Sequence, residues 1–133
     1  MEEIRITILG RPFTVNRQYC QRKGSNKRYL TNEARSYGDS VGWQARSQFR
    51  GPILRDNLEV TYLYYFAENH KKIDHLNFNK ILNDRLNQIV WQDDRQILVS
   101  HHYTLQDQSN PRIELRIKKV DLEQLRNIAS NAL

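Results

Sequence analysis

The chain has 133 residues, 38% of them hydrophobic and 27% charged, a length and balance that exclude disorder beyond the ends and predict one domain over 1–133. Its single cysteine, Cys20, excludes an internal disulfide, and no apolar run approaches the roughly 20 residues that a membrane helix requires, so we expect a cytoplasmic protein. The formal charge of +6 and the pI of about 9.6 favour a polyanionic partner.

A strand and a long polar stretch open the chain. Ile4, Ile6 and Ile8 alternate with other residues, which is the period of a strand with one buried face. Residues 15–30 show no helical period and carry Gly, Ser and Asn in their middle, so they predict a long loop or a loose hairpin. A loop of this length inside a compact domain is usually functional.

Positive charge is concentrated in this basic loop, 15–30, and just before it. Seven cations and no acid lie between residues 4 and 32. Two tyrosines, Tyr19 and Tyr29, lie among them. Cations that bind phosphates and rings that stack on unpaired bases are what a nucleic-acid backbone requires. The loop therefore predicts a nucleic-acid contact, and a solvated charged loop is the alternative.

A helix and a second strand follow the basic loop. Thr31 is of a type that caps helices, and Gly51 with Pro52 would end this one. The apolar residues that recur between them at helical spacing are Ala34, Tyr37, Val41, Ala45 and Phe49. Apolar residues then alternate from Leu58 to Phe66, which predicts a strand.

The next segment, 72–97, predicts a helix with acids on both sides of it. The residues of its buried stripe, at i, i+3 and i+4 spacing, are Phe78, Ile81, Leu82, Leu86 and Ile89. The residues predicted to face away from this stripe are Lys80, Asn83, Asp84 and Asn87. Asp74 precedes the helix, and Asp93 and Asp94 follow it.

The last part of the chain predicts two strands and a short helix. Residues 97–105 and 113–117 alternate on either side of a turn at 107–111, and we interpret the two strands as a hairpin. Asp121 would cap a C-terminal helix over 121–131. The order β, loop, α, β, α, β, β, α predicts a small mixed α/β (α+β) sheet packed by helices.

The acids of segment 72–97 are the candidate chemical site. Mg²⁺ takes hard oxygen ligands, commonly one or two carboxylates completed by water and substrate phosphates. Carboxylates that gather without a cation repel one another, and a bound ion reverses that interaction. Asp74, Asp93 and Asp94 have the right chemistry, and the Lys80 ammonium suits a scissile phosphate. The alternative is a set of solvated surface acids, which we favour for Asp84.

The residues of this segment resemble the motif of the RusA-type Holliday junction resolvases. That family carries Asp-x-Asp-Asn-x-x-Lys, then Asp-x-Leu within the helix, then Asp-Asp-x-Gln. The matching positions here are Asp74, Asn77 and Lys80, then Asp84 and Leu86, then Asp93, Asp94 and Gln96. A weaker match near the basic loop, at Pro12, Asn16, Arg17 and Tyr29, extends the resemblance to roughly residues 4–118.

The resemblance implies a RusA-like homodimer that nicks four-way DNA junctions with Mg²⁺, or Mn²⁺, as its cofactor. It implies metal binding by Asp74, Asp93 and Asp94, and catalysis by Asp74, Lys80 and Asp94. The implied nucleic-acid-binding residues are Asn16, Arg17, Arg22, Lys23, Lys27, Arg28, Tyr29 and Asn77. We expect neither a membrane nor a small-molecule cofactor among its partners.

Leu76 departs from the family motif. It stands where the family carries its second acid, and a leucine does not bind Mg²⁺. We therefore expect weakened activity with Mg²⁺ and a preference for Mn²⁺. Two other functions stay open: a RusA-like protein that binds branched nucleic acid without cutting, and a basic structural or regulatory module whose acids pair with its cations.

Overall fold

The structure is a computed structural model that describes residues 2–13, 19–21, 28–68 and 76–131, with the backbone alone for 19–21, 28–30, 76 and 77. The strands of this part of the chain are β1 (Ile4–Leu9), β2 (Tyr19–Gln21), β3 (Arg28–Leu30), β4 (Leu58–Phe66), β5 (Ile97–Gln106) and β6 (Arg112–Lys119). Its helices are α1 (Asn32–Gln48), α2 (Leu76–Leu86) and α3 (Leu122–Asn131), and a 3₁₀ turn covers Asp94–Gln96.

Four strands form the main sheet, in the order β1-β6-β4-β5. β4 runs parallel to β5, whereas β6 is antiparallel to both β4 and β1. Parallel neighbours require a crossover connection, and the segment that contains α2 supplies it between β4 and β5. The mixed α+β architecture predicted from the order of elements is therefore confirmed.

The hairpin predicted over 97–117 is wrong, because β4 lies between β5 and β6. The turn after β5 passes the end of β4, where the backbone N of Asp107 donates to the carbonyl of Phe66 at 2.9 Å. The connection then reaches β1, where Gly10 N donates to the carbonyl of Pro111 at 3.1 Å. It spans two strand spacings, about 10 Å, where a hairpin spans one. Short turns between alternating segments are typical of hairpins, so local pattern misleads here.

The core lies between one face of the sheet and the helices α1 and α2. Alternate residues of β4 are all buried on this face: Leu58, Val60, Tyr62, Tyr64 and Phe66. The neighbouring strands add Ile6, Ile8, Ile113, Leu115 and Ile117, and the helices add Val41, Ala45, Leu82 and Leu86. Each fully buried aliphatic side chain stabilises the fold by roughly 1.5–3 kcal/mol relative to exposure.

Helix α1 begins and ends as predicted. The Thr31 side chain accepts from Ala34 N at 3.1 Å, and the helix ends at Gln48, shortly before Gly51. Gly38 faces α2 so closely that a Cβ there would lie 2.6 Å from the Nε of Arg85. Glycine therefore permits this guanidinium to lie against the backbone of α1.

Strands β2 and β3 and helix α3 contribute no described side chain to this core. β2 and β3 pair in antiparallel fashion, with Tyr19 opposite Leu30, which matches the hairpin alternative for the basic loop. Helix α3 is capped by Asp121, whose Oδ1 accepts from Gln124 N at 3.1 Å. Over the residues that the structure describes, no helix has both the length and the apolar character needed to span a membrane.

Candidate functional site

The 3₁₀ turn before β5 is held by a reciprocal pair of hydrogen bonds. Asp93 caps the turn, since its Oδ1 accepts from Arg95 N at 2.9 Å. Gln96 returns the contact, because its Oε1 accepts from Asp93 N at 2.9 Å. The Gln96 amide also donates to two backbone carbonyls of the loop before β4, at 3.0 and 2.9 Å. These contacts fix the position of Asp94.

Asp93 is engaged by Arg95. The Nε of Arg95 lies 3.2 Å from Oδ1 of the carboxylate, and its Nη2 lies 3.3 Å from Oδ2. The guanidinium and the backbone N–H of Arg95 hold the pKa of Asp93 below its ordinary value. A cation that binds Asp93 would therefore compete with Arg95 for the carboxylate.

Asp94 lies among other acids. Its pKa is raised, first because burial penalises the charged form, and then by a hydrogen-bond contact with Asp93 and by the charges of Asp93 and Asp84. The charge of Arg95 opposes this shift only in part. A carboxylate in these surroundings gains from a nearby cation. Asp94 is therefore, of the described acids in segment 72–97, the one best suited to a divalent ion.

Asp84 joins these acids from α2. Its charge contributes to the raised pKa of Asp94, so the two carboxylates are electrostatic neighbours. Burial raises the pKa of Asp84 itself, and the charge of Lys80, one helical turn earlier, lowers it. The sequence alone favours a solvated surface role for Asp84. Because its charge acts on Asp94, Asp84 is a further site candidate, and the Asp-x-Leu motif was the signal for it.

Buried aromatic rings lie beside the acids. Burial raises the pKa of Tyr62 on β4, the hydrogen bond with Asn83 lowers it, and the charge of Asp94 raises it further. The Tyr62 hydroxyl donates to Asn83 Oδ1 at 2.8 Å. His102 on β5 stacks on Tyr62 with ring centroids 4.8 Å apart, and its Nδ1 lies 2.9 Å from the Tyr64 hydroxyl. These contacts hold β4, β5 and α2 together next to Asp94.

The prediction that Asn83 and Asn87 face away from the buried stripe of α2 is wrong. Asn83 accepts from the Tyr62 hydroxyl, and Asn87 Oδ1 accepts from the Trp91 indole N–H at 2.7 Å. Tyr62 and Trp91 are 1% and 0% exposed, and buried polar atoms require partners. The inward face of this segment is therefore wider than its apolar period indicates.

The structure describes part of the predicted site. Lys80 is exposed on α2, and Asp93 and Asp94 are partly buried on the 3₁₀ turn. Asp74 lies outside the described residues, so its approach to Asp94 stays a prediction. Also outside lie Asn16, Arg17, Arg22, Lys23 and Lys27, while Arg28, Tyr29 and Asn77 are described by their backbone alone. Across the described ranges, no group of three or more His, Cys, Asp or Glu side chains is arranged to hold a metal.

The donors that are described fit a hard divalent ion. Asp94 and Asp84 offer carboxylate oxygens, and Mg²⁺ needs as few as one or two carboxylates when phosphates and water complete its shell. The histidines of β5 are engaged elsewhere, with His101 Nε2 at 2.9 Å from Glu59 Oε2 and His102 beside the Tyr64 hydroxyl. An oxygen donor set suits Mg²⁺ or Mn²⁺.

Comparison with known protein families identifies the family to which the chain belongs. The model of the family "Endodeoxyribonuclease RusA" matches residues 10–118, which is most of the chain. The chain therefore belongs to the RusA endodeoxyribonuclease family. No curated protein matches it significantly. Membership implies a nuclease, and the family acts on branched DNA junctions and generally uses divalent metals.

Proposed function

We propose that this protein is a divalent-metal-dependent endodeoxyribonuclease that resolves Holliday junctions by paired nicks, in DNA recombination and repair. The observation that supports the proposal most is the crowded carboxylate of Asp94, found in a chain of a nuclease family. A perturbed acid on a turn that Gln96 holds in place is typical of a functional site.

The proposed metal ligands are Asp74, Asp93 and Asp94, and the proposed ion is Mg²⁺ or Mn²⁺. When bound, the ion would supply an activated water and stabilise charge on the phosphate. Lys80 would contact the scissile phosphate with its ammonium group. Asp84 lies within electrostatic reach of Lys80 and would orient it.

We propose that DNA lies across the basic loop, and that two copies of the chain act together. The proposed DNA contacts are Asn16, Arg17, Arg22, Lys23, Lys27, Arg28, Tyr29 and Asn77. A homodimer of single-domain chains would present two sites to opposing strands, which paired nicks require. The proposed place of action is the cytoplasm, on the DNA of the host.

A gel assay with a synthetic four-way junction tests this function. With Mg²⁺ or Mn²⁺, the protein should nick two opposing strands of the junction and leave a duplex of the same sequence intact. With EDTA it should bind the junction without cutting. A junction that is bound but uncut in both ions would make the nuclease proposal wrong. Absence of binding at low salt would support the basic structural module instead.

A second candidate function is binding of branched DNA without cutting. Leu76, the first residue of α2, is the observation that favours it, because the family carries an acid at this position. If metal binding requires both acids, the protein would bind a junction without cutting it. The same gel assay separates this function from cleavage.

A further inference from the structure

A groove lies between α1 and the end of α2, next to the acids. Its volume is about 290 Å³, small among ligand sites and fitted to one nucleotide rather than to a duplex. We call it the α1–α2 groove. The residues that give it its chemical character are Asp39, Trp43, Arg46, Asp84 and Arg85.

Trp43 on α1 lines this groove with 72% of its surface exposed. The other tryptophan of the chain, Trp91, is 0% exposed in the core. An indole contributes a large apolar area wherever it is buried. Most of the apolar surface of Trp43 stays in contact with solvent and is available to a ligand. Trp43 therefore offers an exposed ring on which a base could stack at the edge of the groove.

Arg46 adds a cation to the same face. It follows Trp43 by three residues on α1, so the two side chains are neighbours on the helix surface. Arg85 in the groove is paired with Asp39, at 3.2 Å between Nη1 and Oδ1. Among the described residues, no ion pair of Arg46 is found. A ring with an adjacent cation is the combination that holds unpaired nucleotides.

Asp84 connects the groove with the proposed metal site. It lines the groove, and its charge acts on Asp94. A carboxylate repels a phosphate but accepts hydrogen bonds from the amino groups of bases. A base therefore suits the Asp84 wall, and a phosphate suits the Arg46 side.

We propose that the α1–α2 groove binds one unpaired nucleotide of a DNA strand, with its base stacked on Trp43 and its phosphate at Arg46. The proposal rests on the proposed function, because an opened junction offers unpaired bases beside the strand to be cut. The occupant would position that strand next to Asp94.

The fluorescence of Trp43 tests this proposal. The chain has two tryptophans, so Trp91→Phe leaves Trp43 as the single indole emitter. In EDTA, saturating single-stranded oligodeoxycytidylate, whose bases carry the amino group that suits Asp84, should quench this emission and shield it from acrylamide, and a fully paired duplex should do so less. The complementary variant is Trp43→Phe, in which Trp91 is the single indole emitter. Because Trp91 lies in the core, its emission should not respond to the oligonucleotide.

Affinities provide a second measurement. Trp43→Ala should weaken binding of single-stranded DNA by about 5- to 150-fold and binding of duplex by less than about 2-fold. Tyr103→Ala is the matched control, because Tyr103 is an exposed aromatic residue, 52% accessible, that pairs with Leu63 on the opposite face of the sheet. Unchanged Trp43 emission at saturation, or equal affinities of the Trp43 and Tyr103 variants, would overturn the proposal.

Junction cleavage by the unaltered chain separates this proposal from the function on which it rests. Quenching without cleavage would contradict the nuclease and support the groove. Cleavage without quenching would contradict the groove and leave the nuclease in place.

Discussion

Asp94 ionises less readily in the folded protein than in the unfolded chain, because burial and the neighbouring acids Asp93 and Asp84 raise its pKa. The folded state therefore binds this proton more tightly than the unfolded state does. The contribution to stability is present at low pH and is lost as the pH rises through the raised pKa. Asparagine keeps the shape of the side chain and removes its charge.

We predict that, without metal, Asp94→Asn is more stable than the wild-type protein at about pH 7, and that the difference disappears below about pH 3.9. Urea unfolding followed by circular dichroism at several pH values measures this. Mg²⁺ should reduce the difference in the free energy of unfolding between the two proteins at neutral pH, because it stabilises the wild-type protein.

The matched control for this variant is Asp121→Asn, at the exposed carboxylate that caps α3. Asparagine caps a helix about as well as aspartate does, so the stability of this variant at neutral pH should differ from that of the wild-type protein by less than about 0.5 kcal/mol. An Asp94→Asn protein that is less stable than the wild type at neutral pH would contradict the crowding of Asp94.

Substitutions at Leu76 test whether the missing acid limits metal binding and therefore cleavage. We predict that Leu76→Asp increases the rate of Mg²⁺-dependent junction cleavage, on the order of 10-fold, because it restores a hard oxygen ligand. Leu76→Asn is the matched control, since it adds polarity and an amide oxygen without the charge. A cleavage rate that is unchanged in Leu76→Asp would discard the idea that this position limits activity.

At the scale of elements, the 3₁₀ turn depends on Gln96. We predict that Gln96→Ala lowers the free energy of unfolding by about 1–3 kcal/mol, because the N–H of Asp93 and two loop carbonyls lose their partner. Cleavage should slow as well, since Asp94 loses its fixed position. Urea denaturation and the junction assay measure the two effects.

Gln92→Ala is the control for Gln96, because Gln92 is exposed and its side chain accepts only from Arg55 at 3.2 Å among the described residues. Its effect on stability should stay within about 0.5 kcal/mol. Equal losses in both variants would contradict the structural role of the hydrogen bonds that Gln96 makes.

The two glycines of α1 should respond differently to alanine. A Cβ at Gly42 would meet Ile89 Cδ1 at 3.8 Å, an ordinary contact, so we predict that Gly42→Ala raises the free energy of unfolding by about 0.5–1 kcal/mol. A Cβ at Gly38 would displace Arg85 from Asp39, so the gain in Gly38→Ala should be smaller. Thermal unfolding compares them, and equal gains would contradict the close approach of Arg85.

Elements with a strong local period were predicted well, and contacts between distant elements were not. The alternation of β4 and the cap at Thr31 depend on a few neighbouring residues, and the structure confirms both. The position of β6 beside β4 depends on pairing between segments about 50 residues apart, which local pattern does not contain. The inward turn of Asn83 likewise depends on Tyr62, on another element.

At the scale of the whole molecule, the crossover between β4 and β5 contains every predicted metal ligand. The chain leaves β4 at Phe66 and enters β5 at Ile97, so the acids and Lys80 are tied to the same parallel strand pair. The acid-bearing segment was found from residue types and the family motif. The neighbouring groove could not be predicted from the sequence, because Trp43 is on α1 and only the fold brings it to the groove that Asp84 lines.

The decisive measurement is the rate at which Asp94→Asn nicks a labelled four-way junction as Mg²⁺ or Mn²⁺ is titrated. If Asp94 holds the metal, this variant should bind the junction with wild-type affinity. Its cleavage should be slower than that of the wild-type protein by more than the roughly 10- to 100-fold that follows from losing a residue that only hydrogen-bonds a metal ligand. Cleavage by Asp94→Asn at the wild-type rate, at any concentration of either ion, would contradict the role of Asp94 in metal-dependent cutting.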